Sequence, residues 1–154
     1  MVFLILEFAS LLFAGVLAGE EFIVRYGVQP ALSRLEDSAH IQARHALIRR
    51  MRIVVPVLMI PTVILGILVL IFGGLGAGFA FRIAGVAALV AFVLFSFLGT
   101  VPINIQVFEW DLASPPADWK AVIRRWERVD VFRSSAALLA FAMLLVAVAV
   151  QLRG

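Results

Sequence analysis

Apolar residues gather into four long runs, Val2–Gly19, Ile53–Phe72, Ile83–Val101 and Ala136–Leu152. Each has about the 17–25 residues that carry a helix across a ~30 Å hydrocarbon core. A segment in lipid must satisfy its own backbone groups, and a helix does so internally. The pattern therefore predicts an all-α, integral membrane four-helix bundle, with residues 1–154 as a single transmembrane domain. The polar stretches are helical as well. Leu32, Leu35, Ala39, Ala43, Ala46 and Leu47 repeat at helical spacing. Pro30 suits the first turn of that helix, which is expected to run on into the second apolar run as a projecting extension. Pro56 and Pro61 then fall inside the span and predict kinks. Asp118 is placed to cap a helix starting near Trp119, charged as far as Arg133 and apolar afterwards. On it Trp119, Val122, Trp126, Asp130 and Arg133 share one face. Gly73–Gly78 reads as a turn and lacks the Lys-Ser/Thr of a phosphate loop. No internal repeat is read along the chain.

Composition sharpens this picture. Hydrophobic residues make up 64% of the chain and charged residues 15%. Cysteine is absent, which excludes disulfides, thiolate metal sites and a cysteine nucleophile. The first run lacks a basic leader and a clear cleavage site, so a retained helix is expected rather than a signal peptide. Of the 13 basic residues, all but Arg82 and Arg153 lie in or beside the two long connections. The positive-inside rule then places both connections in the cytoplasm and both termini outside, with a bacterial inner membrane as the expected location. The net charge of +3 fits a basic membrane surface and argues against nucleic acid as a partner. Membrane lipid and a hydrophobic small molecule are the expected partners.

Candidate chemistry sits at the charged ends of the helices. Glu21 and Arg25 are four apart, either a solvated ion pair or the wall of a substrate pocket. Glu7 is assigned to the outer surface and left out of the site. His45, Arg49, Arg52 and Pro56 form a stripe, and His45 is the obvious general base. His40, on another face, is expected to be solvated. Arg82 is expected to snorkel to the outer interface. Gly15-x-x-x-Gly19 permits close helix packing, either inside the bundle or in a homo-oligomer. Carboxylate-bridged metal bundles use Glu-x-x-His repeats on facing helices, and none occurs here, so no metal ligand is assigned and the cofactor is unknown.

Thr100-Val101-Pro102-Ile103-Asn104 through Trp119, Arg125-Trp126-Glu127-Arg128 and Val131-Phe132-Arg133 resemble the anthrone-oxygenase-like family of small four-helix membrane proteins. Pro30-Ala31-Leu32 resembles the family's opening of helix two. The resemblance implies oxidation of anthrones to anthraquinones, and it carries over Asn104, Trp126 and Arg133. Asp130 departs from the Asn or His that relatives often place after the Trp. Two readings follow. In one, a cofactor-independent oxygenase takes an aromatic substrate from lipid. His45 or Asp130 is then the base, Arg49 or Arg133 the enolate stabiliser, and Asn104, Trp126, Glu21 and Arg25 hold the substrate. In the other, the bundle is a non-catalytic lipid- or quinone-binding protein or scaffold.

Overall fold

The structure is a computed structural model that describes residues 1–153. Four helices make it up: α1 (Val2–Leu32), α2 (Asp37–Phe72), α3 (Phe79–Phe108) and α4 (Trp119–Gln151). All four are long and apolar enough to cross a membrane, and no strand occurs among the described residues. They form an up-and-down ring in which each helix packs on its neighbours in sequence and α4 closes on α1. The α3–α4 pair is the most extensive because both faces are small. Ala136, Ala137, Ala140 and Ala147 are buried on α4. Gly85 of α3 sits so close that a Cβ there would lie 2.9 Å from Leu144. Small residues let backbones approach where lipid supplies no hydrophobic drive. The α2–α3 seam is the lightest of the ring.

The second helix does project as one rod into its span, and it passes Pro56 and Pro61 without a break. Its start is not at Pro30, however. Residues 29–32 complete α1, and α2 begins at Asp37 after a turn. The cause is a wider winding of α1 over Val24–Val28, where the N–H of Gln29 bonds the Val24 carbonyl five residues back. The same device occurs in α3 over Ser96–Thr100, where the N–H of Val101 reaches the Ser96 carbonyl. Both π-turns end two residues before a proline, Pro30 or Pro102, so the break in hydrogen-bond register falls beside a missing donor. Asp118 stands at the start of α4 as expected, although its side chain makes no cap bond.

These matching turns correct the expectation of no internal repeat. Gly27-x-x-Pro30 in α1 answers Gly99-x-x-Pro102 in α3, and Ala46-Leu47-Ile48-Arg49-Arg50 in α2 answers Ala121-Val122-Ile123-Arg124-Arg125 in α4. Burial coincides at five of the positions paired between α2 and α4. Arg44, Ile48, Met59, Thr62 and Val69 of α2 are buried, and so are their α4 counterparts Trp119, Ile123, Ser134, Ala137 and Leu144. The matching segments and turns thus recur once in each helical hairpin.

At the end away from the charged connections, Arg82 is wholly buried and does not snorkel. It donates to the carbonyls of Gly73 (2.7 Å) and Gly74 (2.8 Å) and to Gln151 Oε1 (2.8 Å). Gln151 Nε2 in turn donates to Glu7 Oε2 at 3.1 Å. Arg82 therefore caps the carboxyl end of α2, whose last carbonyls have no helical partner. Glu7, assigned to the outer surface from sequence, is 1% exposed and inside this lock. The turn it secures needs glycine at Gly74 (φ 64°) and Gly78 (φ 87°), the latter pressed against the Ala147 carbonyl.

Candidate functional site

Toward the charged ends, the light α2–α3 seam parts into a cleft of about 400 Å³. Met51, Val55, Pro56 and Met59 form one wall, and Phe97, Val101 and Ile105 the other. Phe97 and Ile105 are each 56% exposed, so the cleft opens sideways between the helices. The π-turn of α3 shapes the second wall, because Ser96, Phe97 and Thr100 all line it. The Ser96 hydroxyl donates to Phe92 O (2.8 Å) and the Thr100 hydroxyl to Ser96 O (3.1 Å), which spends both groups on the loosened backbone.

Polar groups collect at the back of the cleft. Glu20, Arg44, Asn104, Trp126 and Arg133 come from all four helices. Trp126 Nε1 donates to Asn104 Oδ1 at 2.8 Å, which leaves the Asn104 amide nitrogen free as a donor. Arg44 covers a face of Trp126 at 5.0 Å and donates to Gln29 Oε1 at 2.6 Å. Arg133 donates to Asp130 Oδ1 from Nε (3.2 Å) and Nη2 (3.0 Å). Its Nη2 also lies 2.9 Å from Glu21 Oε2, an ion pair without hydrogen-bond alignment. Both oxygens of the Glu20 carboxyl are buried and accept from no donor among the described residues, and the carboxyl lies against that of Glu21. Three acids, Glu20, Glu21 and Asp130, thus gather about Arg133 in surroundings shielded from water. Among the described residues no group of three His, Cys, Asp or Glu side chains is placed to hold a metal ion.

The residues singled out from sequence divide into three sets. Asn104, Trp126 and Arg133 meet in the cleft. Glu21 and Asp130 stand behind it on Arg133. His45, Arg49 and Arg25 lie elsewhere. His45 is buried with its ring stacked on Phe108 at 5.6 Å, outside the cleft lining. Arg49 is exposed. Arg25 does not pair with Glu21; it donates to Ser135 Oγ (3.0 Å), Ser134 Oγ (3.3 Å) and Val131 O (3.4 Å) on α4. His40, expected to be solvated, is 6% exposed and accepts from Arg44 Nε at 3.4 Å. Gly15 packs on Phe141 of its own chain, while Gly19 has open space beside it.

Two cleft residues were missed from sequence. Glu20 was overlooked beside Glu21, although neighbours on a helix differ by only about 100° and can flank one face. Arg44 carried a signal too, since it shares a helical face with Ile41 and Ile48, both core residues.

Residues 45–143 match a protein family described as anthrone oxygenase. The match takes in most of α2, all of α3 and α4 as far as Met143. No curated protein and no solved structure matches the chain.

Proposed function

The chain belongs to the anthrone oxygenase family, and from that premise we propose a membrane-embedded oxygenase whose substrate is a hydrophobic aromatic, anthrone-like or quinone-like molecule held in the α2–α3 cleft. The observation that carries the reading is the join of an apolar, sideways-opening cleft to a buried Glu20 carboxyl that accepts from no donor and lies against Glu21. Such clefts, with a few convergent polar groups, are typical of small-molecule sites. The side opening suits a substrate dissolved in lipid. The basic residues around the charged end would put that end on the cytoplasmic side.

Glu20 takes the role of base in this reading, in place of His45 or Asp130. It removes a proton from the methylene carbon of the substrate after a small turn of its side chain. The charge spreads to the ring carbonyl oxygen, where Arg133 and the Asn104 amide stabilise it. The carbanion passes its electrons to O₂ and a carbon–oxygen bond forms. The proton on Glu20 moves to the outer peroxide oxygen. Glu20 then takes the second proton from the same carbon as the O–O bond breaks, and hydroxide leaves with that proton as water. One CH₂ and one O₂ become one C=O and one H₂O, which balances atoms and electrons. Trp126, held by Asn104 and Arg44, gives the rings a fixed wall.

The test is oxidation of anthrone by the protein in lipid nanodiscs, followed by anthraquinone absorbance and oxygen uptake. The reading expects one O₂ per anthraquinone and one labelled oxygen in the product from ¹⁸O₂. Anthraquinone formation no faster than in empty nanodiscs overturns it. Tight anthrone binding without turnover would favour a quinone-binding protein instead.

A further inference from the structure

Residues that wall the cleft have counterparts around a second hollow of about 380 Å³, between α4 and the end of α1. There Arg25, Gln29 and Ser33 stand where the cleft has Phe97, Val101 and Ile105. Glu127 and Asp130 stand where it has Arg52 and Val55. Four of these five positions change from apolar to polar, and at the fifth Glu127 carries the charge opposite to that of Arg52.

Several groups in this hollow lack partners. Gln29 is 8% exposed, its Oε1 is taken by Arg44, and its Nε2 has no acceptor. A buried donor left so is costly unless something fills the site. Arg25 holds α4 through Nη1 alone, so Nε and Nη2 remain as donors. Glu127 makes no ion pair among the described residues, whereas Asp130 is engaged by Arg133. One cation with spare donors and one anion with spare acceptors therefore face the same space. The hollow lies just beyond the first apolar run and just before the fourth. Phe22 (49%), Ile23 (55%) and Phe132 (60%) are exposed on the membrane side, as at the depth of lipid headgroups.

We propose that this groove binds the headgroup of an aminophospholipid. The phosphodiester accepts from Arg25 and Gln29 Nε2, the primary ammonium donates to Glu127, and the acyl chains run along Phe22, Ile23 and Phe132. The site is separate from the oxidation chemistry and stands whether or not anthrone is the substrate.

Native mass spectrometry of the detergent-solubilised protein titrated with phosphatidylethanolamine, phosphatidylcholine, phosphatidylglycerol or free phosphoethanolamine tests this. Phosphatidylethanolamine is expected to bind about tenfold more tightly than the other two lipids, the factor that one charge-assisted hydrogen bond supplies. Glu127→Gln should erase that preference, and Arg25→Gln should weaken all three lipids. Among the described residues Glu127 makes no side-chain hydrogen bond or ion pair, so its variant should fold even if Arg25→Gln does not. Equal affinity of the wild type for the three lipids overturns the proposal, as does a Glu127→Gln protein that keeps the preference. Free phosphoethanolamine binding as tightly as the lipid overturns the lipid source.

Discussion

Two buried arginines mark opposite ends of this bundle and have opposite surroundings. Arg82 meets two carbonyls and a glutamine, and that glutamine reaches Glu7. It lines none of the three main cavities among the described residues. Arg133 meets more acid than it can satisfy, and it opens onto the cleft together with Glu20, which accepts from no donor. Arg82 Nε and Glu7 Oε1 are themselves buried without a partner, so pairing is incomplete at both ends. The first arrangement reads as a lock because its four bonds tie three helices and the glycine turn together. The second keeps reactive groups exposed to a ligand at some cost in stability, as functional sites commonly do. Burial of charge alone does not separate structure from function here. The presence of free space beside the charge does.

The sharpest break of this contrast is Glu20→Gln. Loss of the base should reduce anthrone oxidation about 10²–10⁴-fold. The thermal unfolding midpoint should hold or rise, since one of two neighbouring buried carboxyls is removed. An active Glu20→Gln enzyme would move the base elsewhere. Arg82→Met should do the reverse. Breaking a buried charged network costs about 3–5 kcal/mol, read as lost thermal stability in detergent, with the activity of the surviving folded protein unchanged. Adding Glu7→Leu should restore part of that loss, because the stranded carboxylate is then gone.

Smaller effects sharpen the picture. Gly99→Ala places a methyl against Val129 in the π-turn of α3. Overpacking of this kind costs about 1–3 kcal/mol, and the displaced wall should raise KM for anthrone more than it lowers kcat. Steady-state kinetics with a melting curve would separate the two. Arg49→Gln is the lower bound. Arg49 is exposed and outside the cleft, so stability should stay within about 0.5 kcal/mol and activity should be unaltered. A large loss of activity there would return the arginine stripe of α2 to the chemistry.

Much of the site was legible in the sequence, but unevenly. Asn104, Trp126 and Arg133 stood out because polar or amphipathic residues at the ends of apolar runs are rare. His45 and Arg49 drew attention for their chemistry alone, and periodicity does not say toward which neighbour a face turns. Arg25 was paired with Glu21 by spacing, yet α4 offers it two hydroxyls and a carbonyl. The repeat escaped notice because apolar positions in lipid are interchangeable. The short Gly-x-x-Pro and Ala-x-Ile-Arg-Arg matches carry it in sequence, and the two π-turns before Pro30 and Pro102 mark the same register in the fold.

Sequence by itself determined the four helical spans and their membrane character, because a backbone in lipid has few ways to satisfy itself. It also determined which end carries the charge. Tertiary structure alone decided that Arg82 closes one end and that Glu20 faces a cleft. It alone decided that Arg25 and Gln29 face a second hollow. Such choices depend on how two helices rotate against each other. Among small and apolar residues, packing sets that rotation, and no single helix encodes it.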